Sequence, residues 1–231
     1  MKKHFYLLCF VLIVVFTAQL TPAIKPTTQG TTHTLAITGT DFNKKPYSGT
    51  LEVRSRKISS PSPDIEGVTL KWNVGGTIYQ GIGISTAKVL TATWGGSGCS
   101  LVVYAVESNK LNGIWTVMGQ SKLGTEVANL TSGKGIAGSY KVTGTSQDGS
   151  SYKGALDVIE HGSVYQFSWN VGSKYEGIGI KTQDLVSVAW GATSKDICGV
   201  VQYEITDNGL KGGKWGIYGQ DDSGTEEGIL K

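Results

Sequence analysis

Residues 37–53 read ITGTDFNKKPYSGTLEV, and residues 142–158 read VTGTSQDGSSYKGALDV. The two strings align without a gap, and the rest of the chain follows them. KWNVGGTIYQGIGI at 71–84 is answered by SWNVGSKYEGIGI at 168–180. VVYAVESNKLNGIW at 102–115 is answered by VQYEITDNGLKGGKW at 201–215, and MGQSKLGTE at 118–126 by YGQDDSGTE at 218–226. All six tryptophans pair: Trp72 with Trp169, Trp94 with Trp190, Trp115 with Trp215. Cys99 pairs with Cys198. A repeat this long, present only twice, signals two duplicated domains rather than a solenoid. Copy A is placed at 34–130 and copy B at 137–231. Between them, 131–136 carries Thr131-Ser132-Gly133-Lys134-Gly135, which has linker chemistry. Each copy is expected to close as a domain of its own.

Within each copy the apolar residues alternate. Tyr165, Phe167, Trp169 and Val171 share one strand face, with Gln166, Ser168 and Asn170 on the other. Val68, Leu70, Trp72 and Val74 repeat this in copy A. Period-two patterning marks strands with one face buried and one wet. Copy B divides into eight such runs: Tyr140–Thr145, Tyr152–Ile159, Val164–Val171, Tyr175–Ile180, Leu185–Trp190, Gly199–Ile205, Gly213–Gly219 and Thr225–Leu230. Gln147-Asp148-Gly149 and Asp207-Asn208-Gly209 are turn sequences. No segment after residue 23 sustains a helical period. The fold class is therefore all-β: two tandem, small, antiparallel up-and-down β-barrels of about eight strands, with a pair of β-sandwiches as the alternative. Inward glycines beside large aromatics (Gly39, Gly49, Gly113, Gly144, Gly154) suit the narrow interior of an eight-stranded barrel.

Lys2 and Lys3, an apolar run from Phe5 to Phe16 and Thr21-Pro22-Ala23 fit a cleaved secretory signal over residues 1–23. The run is short for a membrane span. The reading is of an exported protein, periplasmic or secreted, with no transmembrane segment after cleavage. Removing the signal takes two lysines from 21 basic residues and none of the 18 acidic ones. The exported chain is then nearly neutral, which argues against nucleic acid or an anionic membrane as partner. Copy A also carries an insertion, Arg54–Gly67, expected to be an exposed loop. Cys99 and Cys198 stand one per copy, and two free, mostly buried thiols are expected.

The order Y-x-G, W, G-I-G, [VL]-V-x-Y, L-x-G-x-W, G-T-E resembles short secreted bacterial domains often labelled fibronectin-binding proteins. The resemblance covers both copies. It implies an adhesin-like protein that binds extracellular matrix. Some members have a cysteine pair around the third and fourth strands, which this chain lacks there. At fold level the strand count is also similar to avidin- and lipocalin-type barrels, which implies no function by itself.

Catalytic chemistry is sparse. His33 is placed before copy A and His161 in a loop where the copies differ, and no metal spacing, nucleophile motif or phosphate loop is present. Glu52 and Asp157 lie on the outward strand face. No cofactor and no catalytic residue is assigned. Glu126 and Glu226 share a face with Ala128 and Leu130, and with Gly228 and Leu230, so both are predicted to point inward. Each is either a polar handle in an aromatic pocket or a structural carboxylate bonded to backbone or an indole N–H. Candidate ligand-binding residues are Glu126 with Trp72, Trp94, Trp115 and Tyr104 in copy A, and Glu226 with Trp169, Trp190, Trp215 and Tyr203 in copy B. These aromatics either stack on a ligand or fill the core. The leading function is a non-catalytic binding protein for an unknown small apolar ligand or an extracellular protein. The alternatives are the fibronectin-type adhesin and, last, an enzyme of unknown class.

Overall fold

The alternation is realised as strands throughout a computed structural model that describes residues 30–60, 62–191 and 197–231. Copy A supplies β1 (Thr32–Thr40), β2 (Pro46–Arg56), β3 (Glu66–Val74), β4 (Thr77–Ser85), β5 (Val89–Gly95), β6 (Ser100–Glu107), β7 (Lys110–Thr116) and β8 (Gly124–Lys134). Copy B supplies β9 (Ala137–Thr145), β10 (Ser151–His161), β11 (Val164–Asn170), β12 (Lys174–Thr182), β13 (Leu185–Gly191), β14 (Cys198–Thr206), β15 (Gly209–Ile217) and β16 (Gly224–Leu230). They form two closed eight-stranded barrels in which every neighbouring pair runs antiparallel. The signal-peptide expectation falls outside the described residues.

The barrels do not coincide with the repeats. One barrel is the unbroken run β6 to β13, sealed where β13 pairs with β6 (Trp190 opposite Ser100). The other is split: β1 to β5 are completed by β14 to β16, with Trp94 opposite Gly199 and Ile37 opposite Gly228. The expectation that 34–130 and 137–231 each close as a barrel is therefore corrected, and so is the linker at 131–136. β8 runs on to Lys134, which sits opposite Ala137, so the joint is a tight hairpin turn. Gly133 (φ 119°) and Gly135 (φ 69°) supply the positive φ needed there. Ile136 is buried, and its carbonyl accepts the Tyr140 hydroxyl at 2.6 Å. A connection this short lets β8 and β9 pair at little loop-closure cost. β9 then occupies the place beside β8 that β1 would take in a self-closed copy, and the exchange follows. β1 also begins two residues earlier than the copy boundary, so His33 is a strand residue.

The two barrels pack side by side on the outer faces of β4, β5 and β14 against β6, β12 and β13. Ile84, Leu101, Ile178, Ile180, Ala189 and Val200 form the buried seam. Thr91 and Ser187 hold matching places in the two copies, and their hydroxyls meet at 3.3 Å across it. Equivalent positions meet only near a two-fold axis, and Cys99 and Cys198 obey the same geometry. They are joined by a disulfide with Cα atoms 5.5 Å apart. This overturns the expectation of two free thiols: the exchange brings both passages between the barrels to one place. The insertion expectation is also modified. The Arg56 guanidinium donates to the Gln120 carbonyl at 2.5 Å and to Thr116 Oγ1 at 2.9 Å, and the Ser59 amide donates to the Ser121 carbonyl. The start of the insertion therefore straps the split barrel to the continuous one.

Because the disulfide ties the two ends of the continuous barrel, its loss frees a loop of 99 residues in the unfolded chain. Cys198→Ser should lower the unfolding free energy by about 4–5 kcal/mol on the loop-entropy relation. Thermal melts with and without reductant check this: wild type should lose stability on reduction, and the variant should be indifferent.

Candidate functional site

The repeated G-T-E is a site motif because strand alternation sends its first and third residues inward and its threonine out. Glu126 on β8 is 5% exposed and Glu226 on β16 is 4% exposed, while Thr125 and Thr225 are exposed. The glycine is steric. A Cβ on Gly224 would lie 2.2 Å from the Trp215 ring, and one on Gly124 would lie 2.1 Å from the Trp115 ring. The ring of each tryptophan lies over the glycine on the neighbouring strand. Gly113 and Gly213 make the same space for Tyr104 and Tyr203.

In the continuous barrel, Glu126 Oε1 accepts the Tyr104 hydroxyl and the Trp169 indole N–H, the latter at 3.0 Å. Glu126 Oε2 accepts the Tyr152 hydroxyl at 2.9 Å, and the Tyr152 oxygen accepts the Trp115 N–H at 3.1 Å. The split barrel repeats the clamp. Glu226 Oε1 accepts the Tyr203 hydroxyl and the Trp72 N–H at 3.1 Å, and Oε2 accepts the Tyr47 hydroxyl at 2.9 Å. Each clamp draws on four strands and both copies. Burying a carboxylate is costly without partners, and three donors meet that need.

Above each clamp the interior opens. A cavity of about 170 Å³ lies over Glu126 and one of about 210 Å³ over Glu226. Below the clamps the barrels are filled, by Phe167 and Leu156 in one and by Leu51 and Leu70 in the other. The aromatics divide between the floor and the walls of these cavities. Tyr104, Trp169, Tyr203 and Trp72 are buried at the floor, and Trp94, Trp115, Trp190 and Trp215 are half-buried in the walls. The wall rings stand steeply to one another: Trp94 to Trp215 at 69°, Tyr79 to Trp94 at 73°, Trp115 to Trp190 at 78°.

All ten candidate residues line these two cavities, but in exchanged company. Glu126 keeps Tyr104 and Trp115 and takes Trp169 and Trp190 from copy B. Glu226 keeps Tyr203 and Trp215 and takes Trp72 and Trp94 from copy A. The grouping by copy is corrected because the strands that carry these residues are exchanged. Sequence reasoning missed Tyr47 and Tyr152, which complete the clamps, and Tyr79 and Tyr175 in the walls. The signal was present: Tyr47 and Tyr152 match in the repeat and precede inward Gly49 and Gly154 by two residues. Glu52 and Asp157 are exposed on the outer faces. Among the described residues, no three His, Cys, Asp or Glu side chains converge.

Burial pushes the Glu226 carboxyl above the usual carboxylate range, against the pull of its three donors. Burial, followed by the charge of the clamped glutamate, pushes the phenols of Tyr104, Tyr203, Tyr47 and Tyr152 well up. Since the folded values are raised, the stabilisation from these phenols is complete below about pH 10, the ordinary tyrosine value, and falls as pH rises further. In an alkaline titration, phenolate absorbance from these four should therefore appear together with loss of circular dichroism. Their ionisation in a still-folded protein is the contrary result.

Compared with known proteins, the chain matches no family model, no curated protein and no solved structure.

Proposed function

We propose that the chain is an exported, non-catalytic binding protein with two small-ligand sites, one in each barrel. The observation that carries this reading is the duplicated arrangement itself: an aromatic-walled cavity above a carboxylate held by three donors. Small sites of this kind are concave and apolar, with a few fixed polar groups that orient the ligand. A carboxylate needed only to fill a core is a costly choice, since an apolar side chain fills it without a desolvation penalty. The Cys99–Cys198 disulfide supports export, because such bonds persist in oxidising compartments.

The test is a titration of the mature protein with 1-aminoanthracene, a small neutral aromatic probe, followed by tryptophan quenching and native mass spectrometry. Two binding events are expected. Trp94→Leu should remove the one in the split barrel and Trp190→Leu the one in the continuous barrel, each with little change in melting temperature. Failure of the probe to bind at all, or binding that survives both substitutions, overturns the reading.

A further inference from the structure

Resting on that reading, we infer that the ligand of each cavity is a small organic cation, a methylated or quaternary ammonium group caged by the aromatic rings above the glutamate. Charge is the first argument. Glu226 and Asp41 line the split-barrel cavity and Glu126 the continuous one, and neither cavity is lined by lysine, arginine or histidine. Among the described residues, the salt bridges are Lys110–Glu107 and His161–Asp221, and neither involves a clamped glutamate. All three donors to each carboxylate are neutral hydroxyls and indoles. They fill three of its roughly four acceptor sites and leave its negative charge uncompensated. On side chains only 4–5% exposed, that charge is screened less than in solvent.

Shape is the second argument. Trp72, Trp94, Trp215, Tyr47, Tyr79 and Tyr203 surround the larger cavity. Rings bearing a negative π-face attract a cation placed within about 6 Å of the centroid, and tryptophan does so best. The steep angles between Tyr79, Trp94 and Trp215 suit a rounded group touched from several sides. A sugar needs several free hydrogen-bonding groups, yet the floor hydroxyls and the Trp72 indole are engaged in the clamp, and among the residues lining this cavity the Trp215 indole N–H alone is buried without a partner. At about 170 and 210 Å³ the cavities are smaller than the ~300–1,000 Å³ of sites for drug-sized ligands, which suits a head group.

The experiment compares choline with its neutral carbon isostere, 3,3-dimethylbutan-1-ol, by calorimetry and tryptophan quenching on the intact mature protein. Choline should bind about tenfold more tightly, the difference that ~1.4 kcal/mol of cation–π and charge attraction produces. Glu226→Gln should weaken choline at the split-barrel site and leave the isostere unchanged. Should that variant misfold, Asp41→Asn at the mouth provides the same comparison. Equal or tighter binding of the isostere overturns the cation assignment and leaves the small-ligand reading intact. So does absence of choline binding by a protein that takes up 1-aminoanthracene. If none of the three probes binds, both fail together.

Discussion

A fragment from Ser100 to Gly191, which starts in one repeat and ends in the other, should fold by itself. It contains β6 to β13 without interruption, the β8–β9 hairpin, the whole Glu126 clamp and its own closing pair, β13 with β6. Its hydrophobic core is drawn entirely from within that span, from Val102 and Tyr104 to Val186 and Val188. Single barrels of this size are ordinary independent domains. What it loses is the seam against the split barrel, including the cover over Leu101, Ile178 and Ile180. The expected result is a single cooperative thermal transition, below that of the full chain, with Trp115, Trp169 and Trp190 in their native environment. A fragment that melts without cooperativity, beside a 34–130 fragment that melts cooperatively as a monomer, would sink this account of which strands belong together.

The second large effect is at the clamp. Glu226→Ala removes the acceptor of the Tyr203, Tyr47 and Trp72 donors at once. The Tyr47 hydroxyl still reaches the Thr225 carbonyl at 3.2 Å and the Trp72 N–H the Tyr203 oxygen at 3.4 Å, so the Tyr203 hydroxyl is the donor left without an acceptor, and the unfolding free energy should fall by about 1–3 kcal/mol. Glu226→Gln retains the shape and one carbonyl acceptor, and should cost less. Denaturant unfolding of both variants gives these numbers. A loss for Ala within ~0.5 kcal/mol, typical of exposed positions, would place the carboxylate in solvent. The pH dependence carries a sign of its own. The folded Glu226 value is raised, so its contribution to stability is fullest below the ordinary glutamate value and diminishes as pH rises through the folded one. Wild type should therefore gain on Glu226→Gln as the solution is acidified.

Most of the strand inventory was legible because period-two patterning is a local property. The run Val164–Val171 reads inward and outward residue by residue, and β11 matches it. The inward direction of Glu126 and Glu226 came from the same parity. Tyr47 and Tyr152 had this parity too, but nothing in a one-dimensional string says that a tyrosine on β2 reaches a carboxylate on β16. Their role depends on the barrel closing β1 between them, with Gly39 opposite Tyr47 and opposite Glu226. The disulfide was illegible for a related reason: one cysteine per repeat reads as two free thiols unless the repeats meet about a two-fold axis.

The sequence by itself determined that this is an all-β chain of two matched eight-strand sets, and which side chains enter the interiors. Only the tertiary structure decided which strands share a barrel. In a duplicated chain, β5 meets the same chemistry on β14 as on β6, since each offers the same alternation and a small residue opposite Trp94. Local pattern is indifferent between the two pairings. The choice is made where the copies differ in connection: the two-residue turn between Lys134 and Ala137 pairs β8 with β9 at once, and the remaining strands close around that hairpin.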